Sequence, residues 1–160
     1  MNIIKLTIND IQRLQKIANI CFRNTYKIIL TSDQMEYMIN WMYGNETLIK
    51  ELENNCFYYL IEYENEDVGY FSIEKKQNKC ELHKIYVLPQ KQHLKIGSFM
   101  MNFIKNWSKE NNCESIYLNV NRNNSAIQFY TKMGFRIIRT EDNHIGNGYY
   151  MNDYVMEFIL

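Results

Sequence analysis

The stretch Tyr86-Val87-Leu88-Pro89-Gln90-Lys91-Gln92-His93-Leu94-Lys95-Ile96-Gly97-Ser98 joins a strand-like pattern to a helical one. A helix N-terminus presents backbone N–H groups without intrahelical acceptors and the positive end of the peptide dipoles, which suits it to an anion. A pyrophosphate placed there would be held by main-chain donors. Gly97, with no side chain, would let the backbone approach it closely. Many strand-to-helix loops carry one glycine and bind nothing, so this segment alone does not specify a ligand. Just upstream, Glu81 and His83 stand two residues apart. On a strand that spacing puts both on one face. An imidazole accepts a proton near neutral pH unaided, whereas a carboxylate would act mainly through a water; the competing reading is two solvated strand residues.

Such groups need elements to position them. Cys56 to Tyr63 is rich in aromatic and branched residues and reads as a strand, followed by Val68 to Lys75 and Cys80 to Leu88, with polar turns between. Three strands joined by short turns make an antiparallel meander. Pro89, the only proline, stops the third. From about Leu94 the period becomes helical, with Ile96, Phe99, Met100, Phe103, Ile104 and Trp107 on one stripe. Ile116, Leu118 and Val120 alternate along a further strand, Asn123 to Met133 makes a short helix, and Gly134 suits its C-terminal cap. Phe135 to Thr140 and Tyr149 to Phe158 form the last strands. Before Cys56 lie a short strand at Asn2 to Leu6 and a helix with Ile11, Leu14, Ile17, Ala18, Cys21 and Phe22 on one face, Asp10 serving as N-cap. A second helix opens at Thr31-x-x-Gln34, which has capping-box spacing, and buries Met35, Met38, Ile39 and Met42. Glu46 to Glu53 adds a helical turn or two. The strand–helix–strand step around the long helix calls for a parallel, right-handed crossover. The predicted architecture is therefore a mixed α/β sheet with helices on both faces.

Composition excludes several classes of function. The 160 residues hold 46% hydrophobic and 22% charged side chains, ordinary for one globular domain over residues 1–160. Eighteen basic residues balance eighteen acidic ones, so no nucleic-acid footprint is expected. No apolar run reaches membrane-spanning length. Met1-Asn2-Ile3-Ile4-Lys5 begins no secretory signal, so the expected location is cytoplasmic. Cys21, Cys56, Cys80 and Cys113 are scattered and form no C-x-x-C pair, which argues against a metal site and for buried free thiols.

The loop resembles the acetyl-CoA motif of the GCN5-related N-acetyltransferases, Gln/Arg-x-x-Gly-x-Gly/Ala after a strand ending Val-x-Pro. Gln92, Ile96 and Gly97 match it, while His93 and Lys95 stand where glycines are usual. A lysine beside a phosphate compensates electrostatically. The run Asn123-Asn-Ser-Ala126-Ile-Gln-Phe129-Tyr130-Thr-Lys-Met-Gly134-Phe135 is similar to the family's Asn-x-x-Ala-x-x-Phe-Tyr-x-x-x-Gly-Phe pattern at nearly every defined position. The tail from Ile145 to Met156 resembles a bacterial diamine or spermidine acetyltransferase branch. The resemblance implies a central, mostly antiparallel mixed sheet of about seven strands flanked by about four helices. It also implies acetyl-CoA as cosubstrate, an amine as acceptor, and a homodimer, which is common among relatives.

The same resemblance implies site roles. Tyr130 would be the general acid at the CoA sulfur, a neutral phenol being a sensible donor. Counting back from Gln92, the catalytic glutamate of the histone-acetylating branch falls at Glu81 and that of the polyamine branch at His83. The cofactor would lie along the backbone of Ile85, Tyr86 and Val87, its pyrophosphate on Gln92, His93, Leu94, Lys95, Ile96, Gly97 and Ser98. Asn123 would meet the pantetheine arm, Ala126 the cofactor as well, and Lys132 the 3′-phosphate unless it is simply a solvated helix lysine. For the acceptor, Tyr26, Tyr37, Trp41, Tyr43 and Tyr154 would build an aromatic wall, with Glu36 and Asp153 attracting a cation. Three functions follow as alternatives: acetylation of a polyamine-like or amino-sugar-like small molecule, acetylation of a protein N-terminus or lysine, or a non-catalytic acyl-CoA-binding or dimer-scaffold domain.

Overall fold

The computed structural model describes residues 1–160. Seven strands form one sheet: β1 Asn2–Lys5, β2 Cys56–Tyr63, β3 Glu66–Lys76, β4 Lys79–Val87, β5 Ser115–Asn121, β6 Arg136–Gly146 and β7 Tyr149–Ile159. Five α-helices accompany them: α1 Ile11–Tyr26, α2 Ser32–Tyr43, α3 Asn45–Glu53, α4 Ile96–Glu110 and α5 Ala126–Lys132. The turn or two expected at Glu46 to Glu53 is a complete helix, one more than the sequence implied. The strand order is β1-β2-β3-β4-β5-β7-β6. Every pairing is antiparallel except β4 with β5, the strands that α4 connects. No helix is long and apolar enough to cross a membrane.

Side-chain alternation divides the core in two. Along β2, Tyr58 and Leu60 enter the cluster made with α1, α2 and α3, whereas Tyr59 and Ile61 enter the cluster built on α4. A strand covered on both faces must be apolar at nearly every position, which is why Cys56 to Ile61 reads as a continuous run. Tyr59 stacks on Phe71 at 4.8 Å and meets Phe103 of α4 edge-on at 5.2 Å. The β2–β3 turn places Glu64 and Asn65 at φ 52° and 61°, the positive pair that a tight hairpin turn demands. All four cysteines are buried free thiols, and burial pushes those of Cys21, Cys56 and Cys80 up to about 12.

Three local expectations shift. Asp10 precedes α1, but its carboxylate turns back to accept from the N–H and hydroxyl of Thr7, each at 2.8 Å. Thr31 caps α2 by accepting from Gln34 N–H at 3.2 Å, yet the Gln34 side chain does not close the box. It donates instead to Tyr150 O at 2.9 Å. The long helix starts at Ile96, because Pro89–Leu94 coils as a 3-10 segment first.

Candidate active site

The sheet is split by one irregular residue. Ile73 of β3 faces Leu82 of β4 and Ser72 faces Lys84, so His83 is an extra residue opposite no partner. Such a bulge bends its strand and raises the local twist. Pairing of β4 with β5 stops accordingly at Glu81 with Tyr117, and the two strands part beyond it. The resulting fork opens into a cleft of about 630 Å³. One wall is β4 from Leu82 to Val87 and the other is Leu118 and Asn119 of β5. Gln92 to Ser98 lines one end and Asn123 to Tyr130 contributes a third wall, with the C-terminal turn of α1 alongside. On the cleft side, Ile85, Tyr86 and Val87 keep their pairing with Phe71, Tyr70 and Gly69 but have no strand opposite. Their outer edge is free to pair with an extended ligand.

At the other end of the cleft the loop after β4 runs into α4. Lys95 is the N-cap of α4 and sits at φ 58°, in the left-handed region. A side chain there is disfavoured by roughly 1–2 kcal/mol, which explains why a glycine is usual at this point of the motif. The first helical bond runs from Phe99 N–H to Lys95 O at 3.1 Å, so the preceding amides are those a helix leaves open. Gly97 is in close contact: a Cβ on it would lie 3.2 Å from the Phe129 ring, which would have to give by a few tenths of an ångström. This close approach packs α4 against α5 and so fixes Tyr130 relative to the loop. Gln92, His93, Lys95, Gly97 and Ser98 line the cleft. Leu94 packs into the core and Ile96 is fully buried there, so of these two only the backbone can serve a ligand. Asn123 and Ala126 line the opposite wall, while Lys132 is exposed and outside it.

Tyr130 faces the cleft at 7% exposure, its ring between Phe129 at 5.5 Å and Phe135 at 6.0 Å. Burial pushes its phenol above the ordinary tyrosine value, so it holds its proton. Tyr26 is beside it on α1, its hydroxyl 3.5 Å from that of Tyr86. Burial likewise raises the Tyr26 phenol. Behind Tyr86 the ring of Tyr70 stacks at 5.3 Å, and the Tyr70 hydroxyl meets that of Tyr43 at 2.6 Å. Tyr43 is therefore a core residue and not part of an acceptor wall.

The two candidate bases lie at the closed end of the fork. Glu81 accepts from Tyr117 at 2.8 Å and pairs with Lys76 Nζ at 2.6 Å, and it does not line the cleft. Burial alone would raise its carboxyl, but His83, Lys76 and Tyr117 together hold it below the usual range. His83 does line the cleft. Its Nε2 lies 2.9 Å from Glu74 and its Nδ1 3.5 Å from Glu81, so both ring nitrogens face carboxylates. Glu74, Glu81 and His83 could gather a cation, although Lys76 already stands among them. As expected of positions 81 and 83, the two side chains meet on one side of the strand, although only His83 lines the cleft.

The acceptor residues scatter. Glu36 is on the outer surface of α2, tied to Arg23, and Trp41 is exposed there as well. The reason is helical period: burying Met35 and Met38 turns Glu36 outward. Tyr154 packs into the α4-side core. Asp153, its neighbour on β7, faces the other way and is buried at 2% exposure. Tyr37 joins α2 to the β6–β7 turn by donating to Ile145 O at 2.7 Å. Residues not anticipated also line the cleft: Asn24 and Thr25 at the end of α1, Ile28 and Ile29 in the turn after it, then Lys84, Asn119 and Asn124. Ile28, 88% exposed at the mouth, is an apolar side chain in the turn beyond the helical stripe of α1.

Residues 11–135 match the acetyltransferase (GNAT) family. Over 159 residues the chain is 27% identical to a spermidine N(1)-acetyltransferase of Thermoplasma acidophilum, covering 96% of this chain and 93% of that protein. Its fold is similar to the crystal structure of PaiA N-acetyltransferase from Thermoplasma acidophilum in complex with coenzyme A, with TM-score 0.83, 26% identity and 100% of both chains covered. A 76-residue segment is 37% identical to N-alpha-acetyltransferase 50 of Danio rerio, covering 45% of each chain.

Proposed function

This chain belongs to the acetyltransferase (GNAT) family, and on that premise we propose that it transfers acetyl from acetyl-CoA to a primary amine of a small, polyamine-like or amino-sugar-like molecule. The observation that carries the choice of a small acceptor is the bridge across the acceptor side. Tyr37 donates to Ile145 O and Gln34 to Tyr150 O, tying the β6–β7 turn to α2. A Cβ at Gly146 would come within 2.5 Å of the Tyr37 hydroxyl, so the two elements are in direct contact. An extended peptide needs a groove running past this point, whereas a small amine does not. The name of the Thermoplasma relative, spermidine N(1)-acetyltransferase, agrees with a polyamine.

In this reading the pyrophosphate of acetyl-CoA rests on the first amides of α4, with Gln92, His93 and Lys95 around it. The pantetheine arm extends along Ile85, Tyr86 and Val87 as an added strand, with Asn123 and Ala126 opposite. The thioester then lies at the depth of Tyr130, which donates its proton to the departing thiolate. Glu81 is poorly suited as base, because an anion already accepting from Lys76 and Tyr117 has little tendency to take a proton. His83 is tied through Nε2 to Glu74 with Glu81 beside its Nδ1, and in this reading it braces the bulge.

The test is calorimetric titration with acetyl-CoA followed by measurement of CoA release with spermidine, glucosamine and an unblocked peptide. Micromolar cofactor binding and turnover of the small amines are expected. Turnover of the peptide alone would favour the protein-directed alternative. Absence of binding up to millimolar acetyl-CoA would overturn the catalytic reading in favour of a scaffold.

A further inference from the structure

On β4, Glu81 is held by Lys76 and Tyr117 and His83 by Glu74, which draws a carboxylate across the fork into consideration as the base. Across the fork, β5 and β7 pair antiparallel with Asn119 opposite Val155 and Asn121 opposite Asp153. Asp153 therefore shares the sheet face of Asn119, which lines the cleft, and although buried and not itself on that wall it stands near the cleft residue Tyr26. On its other side Asp153 faces Glu141 of β6 directly. Like charges in direct cross-strand register repel, and a carboxylate in the interior is ordinarily paired. The nearby arginines are committed elsewhere: Arg122 pairs with Asp142, and Arg139 with Glu141 at 2.7 Å. Asn119 directs its amide to Glu141 at 3.1 Å. Asp153 thus remains a buried acid with no cation of the protein paired to it.

We propose that Asp153 receives the ammonium of the acceptor and takes its proton. This rests on the acetyltransferase reading of the cleft. The charged and titratable groups around it are Glu141 and Asp142 on β6, Arg122 at the end of β5 and Tyr26 on α1. Burial pushes the Asp153 carboxyl up to about 6, opposed by Asn119 and Arg122 and reinforced by Glu141 and Asp142. A base in that range is half-ionised just below neutrality and so is tuned for proton transfer. The carboxylate removes one proton from the ammonium, and the freed lone pair forms the C–N bond to the thioester carbonyl. The C–S bond breaks, the thiolate takes the Tyr130 proton, and the excess proton on nitrogen restores the phenol. The proton on Asp153 passes to water, so one proton is released per turnover.

The experiment follows CoA release from acetyl-CoA and spermidine as a function of pH, for the wild type and for Asp153→Asn and Asp153→Glu, with thermal melting and acetyl-CoA titration alongside. In the wild type kcat/KM rises with pH through about 6. Asp153→Asn is expected to lose about a hundredfold or more in kcat/KM and the acid limb with it, while binding acetyl-CoA normally and melting no lower than wild type. Asp153→Glu should recover part of the rate and restore a limb. A merely structural Asp153 would instead lower the melting temperature and leave the shape of the profile unchanged, which would overturn the assignment. A wild type that turns over no amine overturns the proposed function and this inference together. A competent wild type whose Asp153→Asn variant keeps both rate and limb overturns the inference alone.

Discussion

Replacing Tyr130 by Phe removes one oxygen and leaves the packing in place. The ring sits between Phe129 and Phe135 and retains both contacts. No hydrogen bond contributes to the raised value of its phenol, which comes first from burial and then from the nearby Tyr26. The substitution therefore strands no partner, and stability should change by no more than about 0.5 kcal/mol. The catalytic effect is of another order. A positioned acid contributes about 10²- to 10⁴-fold, equivalent to about 3–5 kcal/mol of transition-state stabilisation. Because burial keeps the phenol protonated, the wild type should show no loss of this acid across the working pH range. The assay is CoA release, read with a chromogenic disulfide, at saturating acetyl-CoA and spermidine. A fall of about a hundredfold or more in kcat with little change in KM is expected, since the interaction exists only as the thiolate departs. A Tyr130→Phe protein whose kcat stays within about twofold of wild type would refute the reasoning.

Three further outcomes follow from the same geometry. Lys84 is buried, 2.5 Å from the Tyr58 hydroxyl and 3.2 Å from Glu51; Lys84→Met leaves a half-covered carboxylate and should cost about 1–3 kcal/mol in urea unfolding, partly recovered by adding Glu51→Gln. Lys95→Gly relieves the left-handed conformation and should raise stability by about 0.5–1 kcal/mol, while weakening acetyl-CoA binding about two- to fivefold in low salt through loss of one charge. Asp153 has a folded value of about 6 against an ordinary 3.8, so the folded protein binds the extra proton and stability falls as pH rises between those values. The fall is on the order of 3 kcal/mol, and Asp153→Asn should flatten that part of a denaturation-against-pH curve.

Much of this protein was legible in the chain because it is local. The stripe from Ile96 to Trp107 dictates α4 by its period, the aromatic run at Cys56 dictates a doubly covered strand, and the resemblance of Asn123 to Phe135 to the family pattern points to the α5 wall of the cleft. Even the departure at Lys95 was visible, although only the backbone shows it as a left-handed residue in the place of glycine. What the sequence could not supply is whatever depends on two distant segments meeting. Strict alternation gives positions 81 and 83 one face, and their side chains do meet, but it takes the bulge against β3 and the parting of β4 from β5 to put His83 on the cleft and leave Glu81 off it. Glu36 and Asp153 read equally as acidic residues able to attract an amine. The period of α2 turns the first to solvent beside Arg23, and the register of β7 between β5 and β6 buries the second without a counter-charge. Period is encoded in neighbouring residues, whereas the charge state and reach of a side chain are set by partners far away along the chain, and only the folded sheet brings those partners together.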